Sequence, residues 1–344
     1  MSPLFRRGTI VHMQKEYLGR LDYRDPLYEI LLERVFTDVA HPCFHVNKFS
    51  RGGVYQYVEE NSQRAIVGKF FRLNDRKPER ALRIQGEFEK LQRIRSFGFN
   101  ALPHYVVQPL AREDSIGLAV VEEYVCGRDL DYYLVQAIYC NGGEALMTRL
   151  AQLAGFLHEL HERTCSQRQV AVESVCGYFG KLVEKLHTQT LLDNEHRLEA
   201  YRLMDCWLHR LALEQQQSVL VHGDATPTNF FFAGDRDVIA IDLERMRDTD
   251  RMVDIGMVCG ELKHAFLWRT GCGFPAEPFI RHFLKKYCSR FPDRKEAFRI
   301  ITRRNPFFMA MTEFRIGRNR YLDWNYRKRL VFEAMECLRW GLRM

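Results

Sequence analysis

The run LVHGDATPTNFFF places Asp224 and Asn229 five residues apart in a polar loop between two apolar, strand-like stretches. A second carboxylate, Asp242, follows the apolar run VIAI, thirteen residues after Asn229. Two short strands joined as a hairpin would bring these oxygens together. Such a set suits phosphoryl transfer, whose largely dissociative transition state mainly requires positioned Mg²⁺, neutralised charge and an oriented hydroxyl. Mg²⁺ takes oxygen ligands, usually one or two carboxylates completed by phosphate oxygens and water, so Asn229 and Asp242 fit as ligands. Asp224 fits as the base, accepting the hydroxyl proton late and holding the nucleophile in line.

The hydrophobic pattern around this island supplies a scaffold. Leu27, Ile30, Leu31 and Val35 recur at helical spacing and predict an amphipathic helix around Pro26 to Phe36, within an N-terminal extension over residues 1–40. CFHVNKFS, VYQYVEE and RAIVGKFF predict three antiparallel strands, the first two joined near Gly52-Gly53. After Pro78, Leu82, Phe88, Leu91 and Ile94 line one side of a helix that ends near Gly98. YVVQPL and IGLAVVEEYV add two β-like runs before Cys126-Gly127 breaks the pattern. From there to Gln217 the chain reads as helix, including LMTRLAQLAGFLHELHERT and two further helices within 172–216. The β-rich island VLVHGD, NFFF and DVIAIDLE follows, and the remainder is helical. The expected order is therefore an extension (1–40), a sheet-rich lobe with one helix (41–125) and a helical lobe (126–344) that contains the island.

HGDATPTN followed by IDLE resembles the pattern of the aminoglycoside phosphotransferase and choline kinase group, relatives of the eukaryotic protein kinases, and the resemblance runs from about Phe49 to Phe266. It implies an α+β, bilobal protein-kinase-like fold with a small antiparallel-sheet N-lobe and a large helical C-lobe. It also implies ATP and Mg²⁺ as cofactors and a small-molecule hydroxyl as acceptor. Carried over by position, Lys69 in IVGKFF stands where the group has its nucleotide-phosphate lysine. Glu87 stands as that lysine's helix partner, with Glu89 as the rival. A glutamate behind an ammonium fixes the long side chain and keeps it aimed at phosphates. Glu122 to Val125 resembles the hinge, with the backbone of Glu123 and Val125 on adenine. Ser50 to Gly53, including Gly52, stands as the phosphate-covering turn. Asp254 in MVDIG resembles a buried aspartate that braces the catalytic loop, a task His222 shares, and Glu244 echoes the acidic residue of IDFE in choline kinases.

Taken singly, a lysine on a strand or two glycines in a hairpin are ordinary, and the full G-x-G-x-x-G is missing. Order and spacing relative to the island are what raise them to candidates. Protein kinases carry an arginine where this chain has Gly223, and only eleven residues separate Asp242 from Asp254, with neither D-F-G nor A-P-E present. A peptide acceptor is thus disfavoured.

Hydrophobic residues at 46% and charged residues at 28% describe a globular chain, not a disordered one. No stretch approaches the ~18 apolar residues of a membrane span, and the start lacks a signal-like apolar core, so a cytoplasmic protein is expected. The ten cysteines are scattered without a C-x-x-C pair and are expected as reduced thiols in core positions. The net charge of +7 is uneven: from Lys263 onward 19 Lys/Arg face 7 Asp/Glu, giving +12 and leaving −5 for the rest. That asymmetry argues against a polycationic aminoglycoside by like-charge repulsion. It favours a sugar, polyol or phosphorylated, hence anionic, metabolite, while Glu244 keeps an amino alcohol open. The Arg, Tyr and Trp of RIGRNRYLDWNYRKR are also of the kind that grips nucleic acid or an anionic lipid surface. The alternative reading is a nucleotide-binding pseudokinase scaffold whose basic C-terminal surface holds an anionic partner. Pseudokinases usually lack one of the five side chains, and here Lys69, Glu87, Asp224, Asn229 and Asp242 are all present.

Overall fold

The computed structural model describes residues 15–49, 53–71, 82 and 84–343. In chain order its elements begin with β1 (Lys15–Arg20), α1 (Pro26–Arg34), β2 (Phe44–Phe49), β3 (Val54–Glu59), β4 (Ala65–Phe70), α2 (Glu87–Ser96), β5 (Asn100–Ala101), β6 (His104–Val106), β7 (Pro109–Glu113), β8 (Leu118–Glu123) and β9 (Arg128–Asp129). They continue with α3 (Leu130–Tyr139), α4 (Gly143–Arg163), α5 (Val172–His187), α6 (Asn194–Leu213), β10 (Val219–Val221), β11 (Phe230–Phe232), β12 (Val238–Ala240) and β13 (Arg247–Thr249). Four helices close the chain: α7 (Met252–Thr270), α8 (Glu277–Cys288), α9 (Arg294–Gly317) and α10 (Trp324–Arg343). The chain forms two compact units. The first takes the described residues up to Arg128 together with Phe231–Arg245, and the second takes Asp129–Phe230 with the described residues from Met246 on.

In the first unit, six antiparallel strands form one sheet in the order β1-β2-β3-β4-β8-β7. Phe44 and Val46 of β2 and Tyr57 of β3 turn inward and bury against Leu27, Ile30 and Leu31 of α1. Asp25 caps that helix by accepting the Leu27 N–H at 2.9 Å, and Pro26 occupies its first turn, where a missing N–H costs nothing. Residues 15–36 are thus built into the sheet. Strand β1 escaped the sequence reading because KEYLGR is exposed almost throughout and offers no apolar alternation to detect. A second sheet runs β5-β6-β12-β11-β9, with β12 parallel to β6; the chain leaves the unit at β9 and re-enters it at β11.

The second unit is helical apart from the β10–β13 pair. Helix α9 is buried nearly all round from Arg304 to Gly317, as a central core helix must be. It approaches α7 closely because Gly256 and Gly260 stand one turn apart on the facing surface. A Cβ on Gly256 would lie 2.2 Å from Cβ of Phe308, and one on Gly260 would lie 2.7 Å from Cβ of Thr312. Trp207 of α6 is fully buried and donates its indole N–H to Leu338 O at 3.2 Å. Among the thiols, Cys176, Cys259 and Cys288 fill core positions, but Cys126, Cys140, Cys165, Cys206 and Cys272 are exposed, so the expectation of core-filling cysteines holds only in part. Cys140, Cys165 and Cys272 lie just past helix ends, where packing makes no demand on the side chain. No helix among the described residues is long and apolar enough to cross a membrane.

One buried carboxyl of this unit makes stability pH-dependent. Glu313 of α9 is 1% exposed, and burial, only partly offset by Lys263 at 3.0 Å, pushes its carboxyl up to about 7. Lys263 is also drawn to Glu333 at 3.0 Å, so its charge is divided between two carboxylates. A raised native pKa means that the folded chain keeps a proton which the unfolded chain releases. The stabilisation is complete below the usual carboxylate range and is lost as pH rises to about 7. Relative to the parent protein, Glu313→Gln should therefore gain stability between pH 5 and pH 7.5, by on the order of 2–3 kcal/mol. Urea melts of both proteins across that range check this, and parallel pH profiles would mean that Glu313 carries no such proton.

Candidate active site

The pairing of β4 with β8 sets Val67 opposite Glu122 and Lys69 opposite Val120. Lys69 and Glu122 therefore share one face as diagonal neighbours, and the ammonium lies 3.2 Å from Glu122 Oε1. Glu87 opens α2, at the helix end whose dipole favours a carboxylate, and its Oε1 accepts from Lys69 Nζ at 2.6 Å. Glu89 instead pairs with Arg112. Asp242 stands two residues beyond β12 with a left-handed backbone at φ 60°, and its Oδ1 lies 3.8 Å from Lys69 Nζ. A non-glycine residue held there costs on the order of 1–2 kcal/mol. Lys90 donates to the Glu244 carbonyl and clamps the turn that carries Asp242.

One buried ammonium thus serves three carboxylates. Burial acts against the charge of Lys69, but Glu122, Glu87 and Asp242 together hold its pKa well above the ordinary lysine range. Burial raises the Glu87 carboxyl to about 8 and also raises Glu122, with Lys69 pulling both back down. Burial thus favours the protonated form of both carboxyls, and the Lys69 ammonium favours the charged form of both. Oε2 of Glu87 and Oε2 of Glu122 are both buried without a partner among the described residues.

Gly53 has φ +85°, and a Cβ there would meet Phe70 O at 2.8 Å, so the turn into β3 requires glycine. Ser50 and Gly52 lie outside the described residues. The Glu123 N–H donates to Gln108 O and the Tyr124 N–H to Ala65 O, which completes the sheet, and Val125 follows half-buried with its N–H unpartnered among the described residues.

In the second unit, the loop after β10 is suspended from Asp254. This aspartate, wholly buried on α7, accepts the main-chain N–H groups of His222 at 2.7 Å and Gly223 at 2.9 Å. His161 Nε2 lies 3.2 Å from the same carboxylate, and His161 Nδ1 lies 2.8 Å from the Tyr287 hydroxyl. Burial keeps His161 neutral, so the contact is a hydrogen bond in which Nε2–H donates and Nδ1 accepts from Tyr287. Burial disfavours the charge on Asp254, but the bonds from His161 and Gly223 outweigh it and hold the carboxyl below its usual range. Gly223 turns the chain with φ 78°. Asp224 and Asn229 are then joined through the Asn229 side-chain amide, which donates to Asp224 O at 2.9 Å. That bond commits the nitrogen end of the amide, so Oδ1 is the atom that could meet a metal ion. The Asp224 carboxylate accepts from Arg315 Nη1 at 2.7 Å.

The sequence reading missed Glu122 as a partner of Lys69, His161 as a support of Asp254, and Arg315 altogether. Only Glu122 left a usable signal, since period-2 alternation in LAVVEE puts it on the face of Val120 and a buried strand carboxylate demands a cation. His161 and Arg315 reach their partners from 93 and 91 residues away, through packing that no local pattern encodes.

A family model described as the phosphotransferase enzyme family, APH, matches residues 54–297. That span covers most of the chain, which therefore belongs to this family of phosphotransferases. Solved structures agree on the fold. A choline kinase from Cryptosporidium parvum superposes with a TM-score of 0.58 at 11% identity, covering 92% of this chain and 94% of that one. The ethanolamine kinase of Plasmodium vivax gives 0.56 at 14% identity, over 92% and 88%. The streptomycin–ATP ternary complex of the aminoglycoside phosphotransferase APH(2'')-IIa gives 0.53 at 15%, over 93% and 97%. No curated protein sequence matches the chain significantly. The mixed α+β architecture, an antiparallel sheet followed by a helical part, is the protein-kinase-like fold of these neighbours.

Proposed function

We propose that the chain is an ATP-dependent kinase of a small-molecule hydroxyl. In this reading Asp224 is the base, Asn229 and Asp242 are the Mg²⁺ ligands, and Lys69, held by Glu87, binds the nucleotide phosphates. The observation that carries it is the side chain of Lys69, 12% exposed, with its ammonium 2.6 Å from Glu87 and 3.8 Å from Asp242. A buried ion cluster is weak evidence for stability, and it makes physical sense as a preformed cation awaiting phosphate. Family membership supports the phosphotransferase class.

The donors fit the cofactors. Asp242 and Asn229 offer hard oxygens, and no cluster of three or more His, Cys, Asp or Glu among the described residues forms a metal cage of its own. This suits Mg²⁺, which keeps phosphate and water in its shell. Bound ATP with Mg²⁺ supplies the transferable phosphoryl group and neutralises its charge. The protein's own tasks are positional. In this reading Lys69 orients the phosphates, Ser50, Gly52 and Gly53 cover them, and the backbone of Glu123 and Val125 holds the adenine. Asp224 keeps the acceptor hydroxyl in line and takes its proton late.

For the acceptor we favour a sugar, polyol, amino alcohol or phosphorylated metabolite, the last suited to the basic residues that follow Lys263. The test is transfer of label from γ-labelled ATP, with Mg²⁺, to pooled hydroxyl-bearing metabolites. Mg²⁺-dependent label in one pool supports the reading, and splitting that pool identifies the acceptor. Label appearing only in protein or peptide would refute it.

A further inference from the structure

Arg315 sets a strong cation directly against the proposed base, and the family match ends at residue 297, before it. Its side chain is 15% exposed. Nη1 lies 2.7 Å from Asp224 Oδ1 and Nη2 lies 3.4 Å from Oε1 of Glu261, itself 13% exposed. The two carboxylates grip different nitrogens of one planar group, which fixes its orientation as a single contact would not. The scaffold behind this is rigid. Glu261 follows Gly260 on α7, Arg315 follows Thr312 by three residues on α9, and Gly260 and Thr312 meet where the two helices pack closely. The Asp224 main chain is tied separately, with its N–H 3.3 Å from His222 Nδ1 and its carbonyl accepting from Asn229.

We propose that Arg315 is the positioning residue of this active site: anchored by Glu261, it holds the Asp224 carboxylate by Oδ1 so that the acceptor hydroxyl meets a base already aimed. The inference rests on the reading of Asp224 as the base. The chemistry tolerates an ion-paired base, because in a dissociative transition state the hydroxyl proton leaves late and the aim of the carboxylate counts for more than its strength. Lysine, a point charge on a flexible stem, cannot grip both carboxylates in one plane.

The experiment compares Arg315→Met, Arg315→Lys and Glu261→Gln with the parent protein. Turnover is read as label transfer to the acceptor pool, or as release of labelled phosphate to water where no acceptor is taken. Mg-ADP affinity is read by calorimetry. Arg315→Met should lower kcat roughly a hundredfold, in the range of a lost alignment, with the nucleotide affinity unchanged. Arg315→Lys should recover at most about a tenth of the parent rate. Guanidinium ion at low millimolar concentration should restore part of the Arg315→Met activity, a response that a merely structural role would not give. Glu261→Gln should cost about tenfold in kcat with the fold intact. Arg315→Met turnover within about twofold of the parent overturns the proposal. If Arg315→Met fails to fold, unchanged kcat in Glu261→Gln overturns it equally. An active Asp224→Asn protein would overturn the base assignment and this inference with it, whereas an inactive Asp224→Asn beside an active Arg315→Met would remove this inference alone.

Discussion

Asp224→Asn is expected to lower turnover by roughly 10²–10⁴-fold, the usual contribution of a positioned proton acceptor. Binding of Mg-ATP should stay within about twofold, because Lys69, Glu87 and Asp242 are untouched. The substitution is close to isosteric. The amide oxygen it introduces can still accept from the guanidinium that held the carboxylate at 2.7 Å, and the main-chain ties to His222 and Asn229 remain. A folded, nucleotide-binding and inactive protein is the signature of a lost base. Initial rates of label transfer, with calorimetric titration of nucleotide, measure the two quantities separately. Undiminished turnover would move the base elsewhere.

Lys69→Met should have the second large effect, and on two observables. Without its ammonium, phosphates would meet Glu87, Glu122 and Asp242 with the cation that now faces all three removed. Nucleotide affinity should fall at least about a hundredfold, the scale of a lost charge-assisted contact in a buried site. The first unit should also lose about 3–5 kcal/mol, since breaking a buried pair strands the remaining charges. The sign of the pH dependence follows. Glu87 is already raised to about 8 by burial with Lys69 present, and removing the cation raises it further. The parent itself keeps the Glu87 proton up to about pH 8, so the stability deficit of the variant relative to the parent should grow as pH rises through about 8, where only the variant still holds that proton. Adding Glu87→Gln should recover stability at pH 8 without recovering nucleotide binding. That double variant distinguishes electrostatic strain from loss of phosphate contact.

Much of this architecture was legible because its signals are local. VYQYVEE and RAIVGKFF alternate with the pleat, and α1 shows its apolar stripe in Leu27, Ile30 and Leu31. The loop carrying Asp224 and Asn229 was legible for a different reason. Its residue types stand at fixed spacing, and the left-handed φ of 78° at Gly223, whose N–H donates to Asp254 as that of His222 does, explains why glycine precedes the aspartate. What stayed hidden is carried by register and helix packing. Whether Glu122 or Glu123 faces Lys69 depends on the pairing of β4 with β8, and a slip of one residue would exchange them. Arg315 looked like one more charge in an arginine-rich stretch, and only the close packing of α7 and α9 at Gly256 and Gly260 aims it at Asp224. Part of the basic surplus after Lys263 serves internal pairs that no local pattern shows: Arg304 and Lys263 meet the buried Asp250 and Glu313, and Arg315 meets the half-buried Asp224.

The first unit is assembled from two stretches of chain with 102 residues, Asp129–Phe230, between them. Strand β6 finds its parallel partner β12 only after most of the helical unit's first half has been made. At synthesis rates of roughly 5–20 residues per second, β6 emerges from the ribosome on the order of ten seconds before Ala240 exists. During that interval the edge of β6 that later pairs with β12 is open to any neighbouring strand, and the polypeptide already carries Lys69, Glu87 and Glu122 but not Asp242. A truncated product ending near Arg128 would keep that open edge permanently. Lower solubility of such a fragment than of the full chain is the expected consequence of weaving the first unit from both sides of an insertion, and sedimentation of the two products checks it.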